Sequence, residues 1–325
     1  MAFETGTASN LNDLIAKLGT FLTTNVDLVA AGDEWTEEYS DTRAAIATET
    51  AREYRVWKGP GSTGLDDIYI GAYTKGVIAT DIHNLAFAGG TFWNVGAAGD
   101  PEVQDSVRYG LQGRSKFVTL FADSIPFTYW FIANGRRFIV VTKMGSVYAT
   151  VYCGFILPLA RPDEYPYPLC VASGFRDPDE LWARYSDTST SHGSIMDPRS
   201  QSCWLMYPDQ GWRDFYGTAV VSGGVADSSL RYVWPNAGAR YYIGGESILN
   251  THLPAVGGDY AMIPVQLCTN ESAGTNTWGR YDGVYYLTGA DLTAEDTIDV
   301  DGTIYMAVPS GFRNGVRDYF AVEIT

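Results

Sequence analysis

The side chains of this chain that could do chemistry are scattered through it. His83, His192 and His252 are isolated, and no His-x-x-x-His or Glu-x-x-His pair places two metal ligands on one helical face. Ser191-His192-Gly193 lacks the Gly-x-Ser-x-Gly elbow that exposes a serine nucleophile, so no nucleophile and base can be paired and no enzyme is expected. Cys153, Cys170, Cys203 and Cys268 lie far apart in hydrophobic runs without metal-ligand spacing. Buried free thiols are expected, with a Cys153–Cys170 disulfide as the alternative. Glu295, Asp296, Asp299 and Asp301 gather oxygen atoms around a turn but lack the spacing and final glutamate of a calcium loop, so neither metal nor cofactor is expected. The run Lys58-Gly59-Pro60-Gly61-Ser62-Thr63-Gly64 lacks the Lys-Ser ending of a phosphate cradle and precedes a strand, not a helix, which makes it an inter-strand loop.

Two sets of residues suit recognition better than catalysis. Trp204 and Trp212 could stack on sugar rings, and Asp66-Asp67 or Asp163-Glu164 could supply a glycosidase's two carboxylates. These support an alternative reading as a carbohydrate-binding or depolymerising module that contacts a host-surface glycan. Arg136-Arg137 is a basic pair just after a tight turn in a chain of net charge −16, and it could dock on an acidic copy of the same protein. With 22 basic against 38 acidic residues, a nucleic-acid partner is not expected, because phosphate binding needs Lys and Arg to displace counterions.

The elements that must position these groups are mostly strands. Of the 325 residues, 14% are aromatic and 35 are glycine, a composition suited to many short strands and tight turns. The fold class expected is mainly β, with sandwich-like modules built from hairpins and one N-terminal amphipathic helix. The sharpest stretch is Pro126 to Gly174. Phe127 to Ala133 and Arg137 to Thr142 are β-prone runs separated by Asn134-Gly135, which predicts a hairpin with a type I′ turn. Ser146 to Leu157 is a third run, after which Pro158, Pro162, Pro166 and Pro168 should end the sheet.

At the N-terminus, Asn10 can cap a helix whose Leu11, Leu14, Leu18 and Phe21 recur at helical spacing. That stripe could cover the chain's own core or meet a neighbouring subunit, so these residues join Arg136 and Arg137 as candidate assembly contacts. Met1 to Ser9 is small and polar and reads as a mobile arm. No window approaches the roughly 20 apolar residues of a membrane span, so no membrane insertion is expected. Asp301-Gly302 predicts a hairpin between Thr297–Val300 and Thr303–Val308, and the last strand, Asp318 to Ile324, is either tied into a sheet or offered to a neighbour. The expected organisation is an arm and helix over 1–25, a β domain over 26–175, a loop-rich β region over 176–275 and a β module over 276–325.

Asn10 to Leu18 with Phe21-Leu22-Thr23 and Trp35, then Lys58-Gly59-Pro60-Gly61 with Asp67-Ile68-Tyr69-Ile70-Gly71, are similar to the opening of a group of tailed-bacteriophage virion proteins. Tyr129 to Phe138 and Gly154 to Leu169 are similar to its central signature, and Tyr281-Asp282-Gly283-Val284-Tyr285 with Arg317-Asp318-Tyr319 to its C-terminal part. The resemblance covers most of residues 10–220. It implies a structural subunit of the tail, baseplate or fibre-attachment region, made in the host bacterial cytoplasm and located in the virion. Its implied partners are other virion proteins and copies of itself in a symmetric multimer. It carries over no catalytic residue.

Overall fold

The structure, a computed structural model, describes residues 1–62, 68–93, 111–175, 178–179, 193–198, 201–215, 231–235, 262–271, 274–289, 291–311 and 318–325. The protein is mostly β, with 56% of the described residues in strands and 10% helical, several sheets and an N-terminal helical segment.

A seven-stranded antiparallel sheet forms the middle layer. Its order is β1 (Ala2–Ala8), β9 (Phe127–Asn134), β10 (Arg137–Met144), β11 (Val147–Phe155), β13 (Leu169–Ser173), β14 (Cys203–Met206) and β15 (Trp212–Asp214). On one side lies a five-stranded sheet of β2 (Thr36–Arg43), β3 (Arg52–Gly59), β4 (Ile68–Val77), β5 (Ile82–Gly90) and β8 (Val118–Phe121), with β6 (Phe92–Trp93) and β7 (Leu111–Gln112) pairing beside it. On the other lies a sheet ordered β16 (Arg231–Trp234), β17 (Ile263–Glu271), β18 (Gly274–Leu287), β21 (Tyr319–Glu323), β20 (Thr303–Pro309), β19 (Thr297–Val300), to which β12 (Leu157–Pro158) adds against β18. These sheets do not follow the expected divisions, since the middle sheet draws strands from residue 2 to residue 214.

The middle sheet is covered on both faces, and that explains its sequence. Phe131, Phe138, Val140, Val151 and Val171 point toward the five-stranded sheet, where Ile70, Phe87 and Leu120 meet them. Trp130, Ile132, Ile139 and Tyr152 point the other way, onto Val284, Phe320 and Val322. A strand with two dry faces has no reason to alternate polar and apolar residues, so Phe138–Val141 is an unbroken apolar run and nearly every residue of β10 and β11 is buried. Each large side chain so buried contributes roughly 1.5–3 kcal/mol.

Helix α1 (Leu11–Thr24) starts where expected. Asn10 Oδ1 accepts the amides of Asn12 and Asp13 at 3.0 and 3.1 Å, and Asp13 lies in the first turn. Asn25 breaks the helix and caps a second, α2 (Val26–Ala31). Together they make a helical stretch Leu11–Ala31 long and apolar enough to cross a membrane by length and composition, contrary to the expectation from sequence. Its apolar stripe is spent instead on the middle sheet, with the Phe21 ring 5.5 Å from that of Phe131.

Three further expectations are corrected. Residues Ala2–Ala8 are no loose arm, for they form β1 and pair with β9 in unbroken register from Ala2–Ala133 to Ala8–Phe127. The prolines after β11 do not end the sheet, because β13 returns to it beside β11 while β12 crosses to the far sheet. The hairpin β9–β10 is present, but Asn134 pairs with Arg137, so Gly135-Arg136 forms the loop, and neither Asn134 nor Gly135 takes the positive φ of a type I′ turn. Instead Asn134 Oδ1 accepts the amides of Arg136 and Arg137 at 2.9 and 3.0 Å, a side-chain turn of the Asx kind. The expected Asp301-Gly302 turn is borne out, with φ of 52° and 87° between paired Val300 and Thr303. The last strand, β21, is tied between β18 and β20. Much of the loop-rich region expected over 176–275 lies outside the described residues.

Candidate functional site

The two arginines after the turn are not a free basic tip. Arg137 is fully buried, and Arg136 reaches with Nη2 to Asp282 Oδ2 at 2.9 Å. The same oxygen accepts from Asn134 Nδ2 at 3.0 Å and lies 3.6 Å from Arg137 Nε, too far for a hydrogen bond but close enough for strong attraction in a dry site. Arg137 also contacts the Met1 sulfur through Nη2 at 3.1 Å. A buried guanidinium is tolerable only with a carboxylate beside it, and Asp282 is that carboxylate.

The turn is enclosed from the other side as well. Trp35 Nε1 donates to Asn134 O at 2.9 Å and Gly61 N to Gly135 O at 2.9 Å. A Cβ on Gly135 would come within 2.6 Å of Asp33 Oδ1 and 2.9 Å of Pro60 Cγ, so glycine is required here by close approach. Below the ion pair, Tyr152 Oη donates to Phe155 O at 2.5 Å and accepts the Asp282 amide at 3.2 Å. The Tyr152 and Tyr281 rings lie 4.7 Å apart, and Tyr281 Oη is 3.4 Å from Cys203 Sγ. Burial pushes both phenols, and the thiols of Cys153 and Cys170, well up, so all four stay protonated and weakly nucleophilic. The four cysteines are free and buried, as expected. Glu323, also beside Arg137, is pushed up by burial against the pull of that cation.

A second joint sits at the far end of β10 and β11. Lys143 Nζ and Tyr148 Oη both reach Glu295 Oε1 at 2.5 Å. Burial raises the Glu295 carboxyl, but the bonds from Lys143 and Tyr148 outweigh it and hold the group below its ordinary value. Glu295 itself sits at φ 74°, left-handed backbone that is uncommon outside glycine. The acidic tract thus serves as fastening: Asp296 accepts from Thr293, and Asp299 accepts the Gly302 amide at 2.8 Å. Among the described residues no group of three His, Cys, Asp or Glu side chains could hold a metal.

The candidate helix and tryptophan residues are buried or half-buried, whereas Asp163-Glu164 is exposed. Leu11, Leu14, Leu18 and Phe21 are at most 4% exposed and belong to the chain's own core, which leaves them no surface for a neighbour. Trp204 is 8% exposed with Lys116 Nζ over its ring at 5.4 Å, so its face is not open to a sugar. Trp212 is half-buried, packs on the same core and donates to Gly113 O at 2.6 Å. His83 lies 3.0 Å from Asp81, while His192, His252 and Asp66-Asp67 fall outside the described residues. Sequence reasoning missed Asp282, Trp35 and Glu295 as partners of the turn and of β10. A surface groove of about 610 Å³ runs between α1 and the start of β2, lined by Thr20, Thr23, Glu34, Glu37 and Arg55, but Arg55 is matched there by both Glu37 oxygens at 3.0 and 2.9 Å.

No protein-family model matches the chain, and no curated protein is significantly similar to it.

Proposed function

We propose that this chain is a structural subunit of a tailed-bacteriophage virion, in the tail, baseplate or fibre-attachment region, and that it assembles with copies of itself and with other virion proteins into a symmetric multimer. One observation carries the reading. The segments that resemble virion proteins are far apart in the chain, yet they converge on a single point of the fold. Trp35, Gly61, Asn134 to Arg137 and Asp282 bond to one another there, and Arg136 and Asp282 meet at 2.9 Å across 146 positions of sequence. The resemblance therefore marks a fastening between layers, the kind of feature that a building block requires. The groups with reactive potential nearby, Cys170, Tyr152 and Tyr281, are buried and kept in their protonated forms.

The test is mass spectrometry of purified particles of the phage that encodes the chain. Tryptic peptides of this protein, at a copy number that is a multiple of the tail symmetry, are the expected result. A particle preparation free of the chain overturns the proposal.

A further inference from the structure

Among the described residues, the three large sheets have six end strands, of which five are blunted and one is not. Strand β2 carries Glu37, Glu38 and Asp41 and a bulge between Glu37 and Tyr39. Strands β8, β15, β16 and β19 are three or four residues long. Charge, bulges and brevity are the devices that keep an edge from pairing with another chain. Strand β1, the edge of the middle sheet, has seven residues in unbroken register, no proline and Glu4 as its one charge.

The direction of its backbone groups follows from two hydrogen bonds. Thr5 Oγ1 donates to Tyr129 O at 3.0 Å, so that carbonyl faces β1, and Gly6–Tyr129 is a hydrogen-bonded pair of the ladder. Alternation then turns the N–H and C=O groups of Phe3, Thr5 and Thr7 outward. Lys17 Nζ donates to Thr7 O at 2.7 Å, as an outward carbonyl allows. Among the described residues no other strand pairs with this edge.

We infer that β1 is a self-association edge: two copies pair β1 to β1, antiparallel about a two-fold axis at Thr5, and join their middle sheets into one sheet of fourteen strands. This rests on the multimeric reading above and names its interface. The register is self-complementary. About Thr5, Phe3 falls opposite Thr7 of the second copy and Thr5 opposite Thr5, so every outward group meets an outward group. Glu4 falls opposite Gly6, so the strand's one charge faces no like charge. The Thr5 and Thr7 side chains are exposed and form a threonine row of the kind that favours cross-strand pairing. Lys17 leaves Thr7 O as the strands join and keeps its bond to Asp13 at 2.8 Å. A foreign strand could use the same edge, but it would not be matched to this register by symmetry.

The experiment is light scattering and native mass spectrometry on the full chain and two variants. Thr5→Pro removes an outward N–H and leaves the β9 ladder whole; Thr5→Lys sets two ammonium groups against each other across the axis at an exposed position. The wild type is expected to be a dimer or a multiple of dimers. Each variant should weaken pairing by roughly tenfold or more, since two inter-strand bonds or a like-charge contact are at stake. Melting temperatures of the dissociated variants, matched to dilute wild type, separate lost pairing from lost folding. Should Thr5→Pro fail to fold, the surface change Thr5→Lys decides alone. A multimer indifferent to both variants overturns the edge while leaving the virion reading intact. A monomeric wild type that is nevertheless found in particles does the same. A variant-sensitive dimer absent from particles upholds the edge and overturns the virion reading.

Discussion

Strands β10 and β11 are fastened to the C-terminal sheet at both ends by the same trio of groups, a cation on β10, a tyrosine on β11 and a carboxylate from beyond β17. At one end Arg137 lies beside the Asp282 carboxylate while Tyr152 Oη accepts the Asp282 amide; at the other Lys143 and Tyr148 both donate to the Glu295 carboxylate. The first is dry, with Arg137 fully buried and the Asp282 side chain 11% exposed, whereas Lys143 and Glu295 remain 33% and 37% exposed. Similar groups therefore carry unequal weight. In the dry joint the ions have no water to fall back on, so each is indispensable to the other, while in the wet joint solvent can replace either partner. Arginine suits the first because it stays charged beside Asp282 while its other donors reach Ile132 O and the Met1 sulfur, and lysine suits the second.

The largest effect should follow from removing the dry carboxylate. Asp282→Ala strands the Arg137 guanidinium in the core, and about 3–5 kcal/mol of stability should be lost in urea unfolding. A loss under 1 kcal/mol would mean that Arg137 escapes to water and that the two joints do not differ as argued.

The two turns extend the contrast. Gly135 is enclosed by Asp33 and Pro60, while a Cβ on Gly302 would meet nothing within 4 Å and glycine serves there only for its φ of 87°. Gly135→Ala must push apart packed segments and should cost about 1–3 kcal/mol. Gly302→Ala strains one residue in water and should cost about 1 kcal/mol. Equal costs in parallel chemical denaturation would break the distinction between a turn held by its surroundings and one held by its own backbone.

What could be read from the sequence follows the same line. The Asn10 cap and the Asp301-Gly302 turn were legible because a few adjacent residues decide them. The β9 and β10 strands were legible too, but not their turn, because Asn134 and Gly135 answer to Trp35, Pro60 and Asp282 from other parts of the chain. Ala2–Ala8 looked like an arm because a short, half-polar strand shows itself only beside its partner, and that partner is β9. Arg137 looked exposed and Arg136 unpaired because arginine is rarely buried without a partner, and the pairing carboxylate lies 146 positions on from Arg136. One signal was present and unused: the want of alternation in β10 and β11, which marks a sheet covered on both faces.

The smallest effect, and the finest test of the comparison, concerns pH at the wet joint. Because Lys143 and Tyr148 hold the Glu295 carboxyl below its ordinary value of 4.5, its ionised form stabilises the fold above that pH, and the contribution is lost as pH falls through the lower value of the folded state. Glu295→Gln should therefore cost up to about 1 kcal/mol at neutral pH, and less in high salt, as for other half-exposed pairs. The gap between wild type and variant should close as the pH falls below 4.5, because the protonated glutamate and the glutamine then offer Lys143 the same neutral partner. Urea unfolding of both proteins across that pH range reads the gap directly. A gap that persists in acid would assign the role of Glu295 to the hydrogen-bonding shape of its side chain, and the wet joint would then be a matter of fit, with charge left to the dry one.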